Sequence, residues 1–131
     1  MRFFLILSIL FSFFLGACQA KVPENFTAIS TQELSQGIKD KALHIYDNNL
    51  ASVYQAGHIP TAIYMDYLEP DASQLPTDKN ASLVFYCKNT RCRASHAGAK
   101  FAWSQGYRNV RIYPEGIDGW RQAGMETEPA N

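Results

Sequence analysis

The sequence predicts an α/β fold in which a small parallel β-sheet is flanked by helices on both faces. Three observations predict it. Short strand patterns alternate with helical patterns between residues 27 and 124. Residues 83–86 are apolar at every position, which is typical of a strand covered on both sides. The helical segments begin and end at recognisable signals, a capping box at the first and glycines after the others.

The segment before the domain has the layout of a secretory signal. Arg2 is followed by an apolar run over residues 3–15, which is too short to span a membrane comfortably. Leu15-Gly16-Ala17-Cys18 then resembles the lipobox of bacterial lipoproteins, in which the cysteine becomes the lipidated first residue. The alternative is ordinary cleavage after Ala20, which would discard Cys18. Both alternatives predict a cell-envelope protein on the periplasmic side. Lipidation with Gln19 as the next residue favours an anchor in the outer membrane, and cleavage after Ala20 predicts a soluble periplasmic protein.

Domain boundaries and composition limit the possible functions. We expect a signal peptide over residues 1–17, a tether over 18–26, one domain over 27–124 and a tail over 125–131. The chain has 12 basic and 12 acidic residues without a basic stripe along any helical segment, so no nucleic-acid partner is indicated. Of the three cysteines, one belongs to the signal and two lie in one loop, which is too few for a disulfide framework.

A capping box predicts the first helix, and an apolar stretch predicts the strand that follows it. Ser30 and Glu33 form a capping box, which predicts a helix start, and Gly37 predicts its end. Residues 42–46 are predicted to form a strand that ends at Asp47.

The middle of the chain contains shorter elements. Residues 52–56 predict one helical turn, and residues 62–65 predict a second short strand. Residues 67–75 are ambiguous between a loose helix and a loop, and residues 76–80 are predicted to be a loop. The next strand, residues 83–86, is the clearest of all.

The last elements show helical spacing bounded by glycines. Apolar residues recur at helical spacing over residues 94–105, and Gly106 ends that run. Residues 109–113 predict a strand, and residues 117–123 predict a final helix that Gly124 ends.

The loop after the clearest strand carries the candidate chemistry. Cys87 stands at the carboxyl end of the strand and faces the start of the helix that begins near Ala94, where free N–H groups and the helix dipole favour a thiolate. Lys88, Arg91 and Arg93 add positive charge. Ligands of open parallel sheets bind at these carboxyl ends. We therefore interpret Cys87 as a nucleophile for an anionic, sulfur-bearing substrate.

Four segments resemble, in order and spacing, those of single-domain rhodaneses. They are Ile45-Tyr46-Asp47, Gly57-His58-Ile59-Pro60-Thr61-Ala62, Val84-Phe85-Tyr86-Cys87, and Gly106-Tyr107-Arg108-Asn109-Val110 with Gly116 and Trp120. The resemblance covers about residues 27–122. It implies a rhodanese-like sulfurtransferase without a cofactor, in which Cys87 forms a persulfide. The implied partners are an anionic sulfur donor, such as thiosulfate or a persulfide, and a thiol or other acceptor of the sulfur.

The resemblance also implies roles for other residues. The anion-binding loop would consist of Lys88, Asn89, Thr90, Arg91, Cys92 and Arg93. Its main-chain N–H groups would bind the anionic donor. Asp47 is expected to brace this loop by accepting hydrogen bonds, rather than to act as a base. His58 is expected to be a supporting residue of its turn.

Several positions depart from the pattern of rhodaneses. Asn49 and Val53 stand where an arginine and a glutamate are usual, and Cys92 replaces another arginine. Thr90 takes the place of a glycine in the loop, and Glu115 that of the first glycine before the last helix. These departures leave the substrate open.

Cys92 admits three interpretations. The Cys-x4-Cys spacing across a curled loop allows a disulfide with Cys87. Cys92 could then be a resolving thiol that releases sulfide from the Cys87 persulfide and leaves a disulfide. It could instead form a structural disulfide that silences the sulfur chemistry, or be a passive loop residue.

Three other functions compete with sulfur transfer. Cys87 to Arg93 spells Cys-x5-Arg, which resembles the phosphate loop of cysteine phosphatases and some arsenate reductases, although no general acid is evident. Cys87, Cys92 and His96 could be three metal ligands, but the sequence shows no fourth, and we expect no metal site. Finally, the lost arginine and glutamate could mark a degenerate domain that only binds a partner or carries sulfur.

Overall fold

A computed structural model describes residues 20–130, which form a five-stranded, entirely parallel sheet. The strands are β1 (Thr27–Ala28), β2 (His44–Asp47), β3 (Ile63–Tyr64), β4 (Leu83–Tyr86) and β5 (Val110–Ile112). Their order across the sheet is β1-β5-β4-β2-β3, which places β4 at the centre. The carboxyl ends of β2 and β4 are therefore neighbours, in register at Asp47 and Tyr86.

The described residues also form four α-helices, of which the last follows β5. They are α1 (Thr31–Lys39), α2 (Ala51–Ala56), α3 (Ala94–Ser104) and α4 (Gly116–Gln122), and a 3₁₀ turn spans Ala72–Gln74. Among the described residues, none of these helices has the length and apolar content that crossing a bilayer requires. The predicted signal peptide and Cys18 lie outside the described residues.

Two apolar cores lie on opposite faces of the sheet. Successive side chains of β4 alternate between them, with Val84 and Tyr86 in one core and Leu83 and Phe85 in the other. Helices α1 and α4 cover the first face, and α3 covers the second. The helix residues in the two cores are Leu34, Ile117 and Trp120 on the first face, and Ala99 and Ala102 on the second. The predicted α/β class with helices on both faces is confirmed.

The first helix begins where the capping box predicts but ends later. Glu33 N donates to Ser30 Oγ (3.2 Å), and Ser30 N donates to Glu33 Oε2 (2.9 Å), so both bonds of the box are present. The prediction that Gly37 ends α1 is wrong, because the helix continues to Lys39. Gly37 is instead a point of close packing, since a Cβ there would overlap the side chain of Leu43.

The structure also corrects two other elements. Strand β1 was not predicted, because it has only two residues, both exposed, and exists through its pairing with β5. The ambiguous segment 67–75 contains only the 3₁₀ turn Ala72–Gln74, which begins where Asp71 Oδ1 accepts a hydrogen bond from Ser73 N. The bounds of β4, by contrast, are those predicted.

Candidate active site

Cys87 lies directly after β4, at the carboxyl edge of the sheet, and is 2% exposed. Its carbonyl oxygen accepts a hydrogen bond from Ile117 N (3.0 Å) in the first turn of α4. The chain then forms the loop of residues 88–93 and enters α3 at Ala94. The predicted strand–cysteine–loop–helix arrangement is therefore present.

The two loop cysteines form a disulfide. Cys87 Sγ is bonded to Cys92 Sγ, and the two Cα atoms are 6.3 Å apart, within the range that disulfides require. The structure thus shows the oxidised form of the pair, as two of the three interpretations of Cys92 require. In this form Cys87 has no thiolate, so any nucleophilic chemistry belongs to the reduced protein.

Ser95 is the polar side chain beside the sulfur, and the sequence did not single it out. It is buried, 3% exposed, and its Oγ lies 3.5 Å from Cys87 Sγ. The residue is the second of α3, so the predicted helix start near Ala94 was a signal that could have identified it. A hydroxyl at this position can donate a hydrogen bond to the Cys87 thiolate once the disulfide is reduced.

The loop curls through a turn made by Asn89. Asn89 Oδ1 accepts from Arg91 N (3.1 Å), and Asn89 O accepts from Cys92 N (3.1 Å). These two bonds bring Cys92 back toward Cys87. Thr90, which stands where rhodaneses have glycine, does not need a left-handed backbone, since the described non-glycine residues with positive φ are Lys41 and Thr61.

Helix α4 holds the loop in place through Asp118. Its backbone N–H donates to Lys88 O (3.0 Å). Its carboxylate accepts from Asn89 Nδ2 (3.2 Å) and lies 3.3 Å from Lys88 Nζ. Asp118 is a second residue of the site that sequence reasoning missed, because its contact with the loop depends on how α4 docks.

Gly116 permits the close approach of α4 to the loop. Its φ is +62°, and a Cβ on it would lie 2.5 Å from the carbonyl carbon and oxygen of Lys88. Glu115, in place of the first glycine of the usual pair, has an ordinary φ of −66°. Only the second glycine is thus required by the geometry of this chain.

The cationic side chains of the loop face solvent. Arg91 and Arg93 are both exposed, and within residues 20–130 neither forms an ion pair. Lys88 is partly neutralised by Asp118. In the described part of the chain, the backbone N–H groups of Lys88, Asn89 and Thr90 have no hydrogen-bond acceptor. The loop therefore offers positive charge and main-chain donors to an incoming anion.

Asp47 is fully buried and braces the strand ends rather than the loop. Its Oδ2 accepts from Tyr86 OH (2.6 Å) and its Oδ1 accepts from Asn49 N (2.8 Å). Tyr86 OH in turn accepts from Ile59 N (3.0 Å). Burial raises the pKa of Asp47, and the hydrogen bond from Tyr86 opposes this shift. No hydrogen bond joins Asp47 to residues 88–93 within the region that the structure describes.

His58 packs against Tyr54 and pairs through its backbone with Glu128. It is buried, its ring stacks on Tyr54 with centroids 4.0 Å apart, and Nδ1 lies 3.2 Å from Tyr54 O. Its backbone exchanges two hydrogen bonds with Glu128 (2.8 and 2.9 Å). The described contacts of the imidazole are with Tyr54 and Glu128, and none of them is with residues 88–93.

The described residues do not form a metal centre. Residues 20–130 contain no group of three or more His, Cys, Asp or Glu side chains placed to hold a metal ion. Both cysteine sulfurs of the proposed trio are in the disulfide. His96 is partly buried, and burial, with Arg93 and Lys100 nearby, lowers its pKa.

The comparisons with known proteins agree with this architecture. Residues 30–123 match the family described as rhodanese-like domain. The thiosulfate:glutathione sulfurtransferase of Saccharomyces cerevisiae is 29% identical over 117 residues, which cover 78% of this chain and 83% of that protein. A crystal structure of a Bacillus halodurans protein superposes with a TM-score of 0.69 at 29% identity, covering 79% of this chain and 77% of the other. The rhodanese-like domain of an Anabaena protein gives 0.66 at 23% identity, covering 79% of each.

The chain therefore belongs to the rhodanese-like family. The family match and the yeast relative support sulfurtransferase-like activity at the level of the family. They also imply, in general terms, one molecule that donates sulfur and one that accepts it.

Proposed function

We propose that the reduced protein transfers sulfane sulfur from an anionic donor, such as thiosulfate, to a thiol through a persulfide on Cys87. The observation that carries this proposal is the position of the Cys87 sulfur. It lies between the end of β4 and the start of α3, with Ser95 Oγ at 3.5 Å and the cationic loop around it. Such surroundings stabilise a thiolate and attract an anion.

The proposed reaction has two displacement steps. The Cys87 thiolate attacks the outer sulfur of thiosulfate, the sulfur–sulfur bond of the donor breaks, and sulfite leaves with the electron pair. An acceptor thiolate then attacks the outer sulfur of the persulfide and restores the Cys87 thiolate. The name of the yeast relative suggests glutathione as one such acceptor for this chain.

The roles of the loop follow from its contacts. The exposed Arg91 and Arg93 attract the dianionic donor, and the N–H groups of Lys88, Asn89 and Thr90 hydrogen-bond its oxygens. Asp118 keeps the loop in this conformation by its bonds to Lys88 and Asn89. The disulfide has to be reduced before the cycle begins, because it occupies the sulfur of Cys87.

Steady-state turnover tests the proposal. The purified full chain is reduced, freed of reductant and mixed with thiosulfate and glutathione, and sulfite is measured. We expect sulfite formation by the wild type and its loss in Cys87→Ser. A wild type that forms no more sulfite than Cys87→Ser would refute the proposal. Hydrolysis of a phosphate ester that depends on Arg93 would instead support the Cys-x5-Arg interpretation.

We also propose that the protein acts in the cell envelope, on the periplasmic side. The apolar run over residues 3–15 and the lipobox-like Leu15-Gly16-Ala17-Cys18 support this location. With a lipid on Cys18, the domain would be tethered to the outer membrane. Fractionation of bacteria that express the chain tests this, since Cys18→Ser should move the protein out of the membrane fraction. Wild-type protein in the cytoplasm would contradict it.

A further inference from the structure

The two cysteines of the loop differ in how they can be reached. Cys87 is 2% exposed, whereas Cys92 is only partly buried. Their Cα atoms are 6.3 Å apart and their sulfurs are bonded. The fold therefore brings the more exposed of the two cysteines into bonding contact with the proposed nucleophile.

A cavity of about 270 Å³ opens beside Cys92. It lies between the ends of β2 and β4 and is mainly apolar. Its lining includes Cys92, Lys88, Leu50 and Tyr67 but not Cys87. An incoming thiolate that enters this cavity reaches Cys92, and Lys88, whose charge Asp118 neutralises only in part, lines the same cavity.

The leaving group of such an attack is the thiolate of Cys87. Thiol–disulfide exchange is faster when the departing sulfur is a stabilised thiolate, and it depends on which sulfur is accessible. Ser95 Oγ, 3.5 Å from Cys87 Sγ, and the start of α3 provide that stabilisation. Access and leaving-group stability thus both direct a reductant to Cys92.

We propose that Cys92 resolves the Cys87 persulfide, so that the protein also reduces sulfane sulfur to sulfide at the expense of a dithiol. This inference rests on the proposed function, which supplies the persulfide. The Cys92 thiolate attacks Cys87 Sγ, the bond from Cys87 Sγ to the outer sulfur breaks, and hydrosulfide leaves with the electron pair. The product is the disulfide that the structure shows.

A dithiol then closes the cycle. One of its thiolates attacks Cys92 Sγ from the cavity and releases the Cys87 thiolate, and its second thiol attacks the mixed disulfide and releases Cys92. In total, thiosulfate and a dithiol give sulfite, hydrosulfide, a cyclic disulfide and a proton. The dithiol loses two electrons, and the outer sulfur of thiosulfate gains them.

A single-turnover experiment tests the resolving step. Reduced full-length protein, freed of reductant, is mixed with thiosulfate, and sulfite, sulfide and intact mass are followed together. The wild type should release sulfide in an amount close to that of sulfite and end with two hydrogen atoms fewer, as the disulfide form. Cys92→Ser should release sulfite, keep one added sulfur atom and give at least tenfold less sulfide.

The outcomes separate this inference from the proposed function. If the wild type keeps the added sulfur and releases as little sulfide as Cys92→Ser, the resolving role is refuted while sulfur transfer stands. If neither protein releases sulfite, the persulfide itself is absent and both proposals fail.

A trapping experiment tests the direction of attack. The oxidised wild type is treated briefly with glutathione, quenched in acid, alkylated and digested. We expect glutathione on Cys92 and the alkyl group on Cys87. Glutathione found mainly on Cys87 would overturn the assignment of Cys92 as the point of attack.

Discussion

At the scale of residues, Ser95 is the buried polar side chain that lies beside the sulfur of Cys87. Its hydroxyl is buried within reach of the sulfur, and the described residues place no carboxylate in hydrogen-bond contact with that sulfur. A buried donor that faces a thiolate stabilises the anion, because the charge has lost most of its water there.

Replacing Ser95 by alanine should therefore slow the chemistry of Cys87. The test uses reduced protein that also carries Cys92→Ser. There, we expect Ser95→Ala to lower the rate at which iodoacetamide alkylates Cys87 at neutral pH by roughly threefold to tenfold. This range corresponds to the loss of one hydrogen bond of about 1 kcal/mol. Ser104→Ala is the matched control, since Ser104 Oγ donates to Phe101 O at the other end of α3. Equal rates in the two variants would contradict this role of Ser95.

Asp47 should make the free energy of unfolding depend on pH, and the sign of this dependence follows from the raised pKa of its carboxyl. Burial raises the pKa of the folded-state carboxyl above its ordinary 3.8, so the folded protein holds this proton to higher pH than the unfolded chain does. As pH rises from 3.8 through the folded-state pKa, the contribution of Asp47 to the free energy of unfolding should fall. Asp47→Asn should lack this fall, as urea denaturation at several pH values would show.

Asp78→Asn is the control for that series, because Asp78 is exposed and its carboxylate accepts a local hydrogen bond from Asn80 N. This variant keeps Asp47, so its free energy of unfolding should show the same fall with pH as that of the wild type. If the stability difference between Asp47→Asn and the wild type does not change with pH, the buried carboxyl does not titrate in the way proposed.

The residues of the site could be predicted only in part. Cys87 and the cations that follow it were evident, since an apolar strand ends abruptly at a cysteine. The roles of Ser95 and Asp118 were not, because they depend on how α3 and α4 pack against the loop. The hydrogen bonds of Asp47 also differ from those expected, since they go to Tyr86 and Asn49.

At the scale of elements, the docking of α4 decides the shape of the loop. The backbone N–H groups of Ile117 and Asp118 donate to the carbonyls of Cys87 and Lys88, so the first turn of α4 orients the start of the loop. Gly116 allows this approach, because there is no room for a side chain beside Lys88.

Two glycines with similar positive φ angles test this explanation. Gly116 and Gly124 have φ values of +62° and +74°, but a Cβ on Gly124 would meet nothing within 4 Å. Gly124→Ala should cost only the conformational penalty, about 1 kcal/mol. Gly116→Ala should lower the free energy of unfolding by roughly 3 kcal/mol or more and reduce sulfite formation, because the loop has to move.

Urea denaturation of both variants, with sulfite assays alongside, gives the comparison. Equal losses of stability would mean that backbone strain alone matters at Gly116, and the account of α4 docking would then be wrong.

Elements with strong local signals were predictable, and those created by tertiary contacts were not. Strand β4 was identified from its unbroken apolar run, and the start of α1 from its capping box. Strand β1 has no such signal, because its residues are exposed and are ordered by pairing with β5. The end of α1 was misplaced, because Gly37 is there to accommodate Leu43 and not to stop the helix.

At the scale of the whole molecule, we expect the disulfide to couple stability to the proposed activity. It closes a short loop, with a sequence separation of 5 residues. The alternation of strands and helices predicted the surrounding parallel sheet with helices on both faces, except for strand β1. The sequence showed that the pair could form, but not that it does, because this depends on the path of the loop.

Reduction should lower the stability of the protein while it activates the proposed chemistry. Opening a loop of this size should cost roughly 2 kcal/mol of unfolding free energy on the chain-entropy estimate. Cys92→Ser should match the reduced wild type in stability and should not respond to reductant. Urea denaturation with and without a reductant measures both. A wild type whose stability does not change on reduction would contradict the coupling.

The most direct test of the central claim is the intact mass of Cys92→Ser after exposure to thiosulfate. This variant cannot form the intramolecular disulfide, so any sulfur taken up by Cys87 should remain on the protein. We predict the gain of one sulfur atom, which a dithiol removes and which Cys87→Ser protein does not show. An unchanged mass in Cys92→Ser, with the thiol of Cys87 still open to alkylation, would contradict the account.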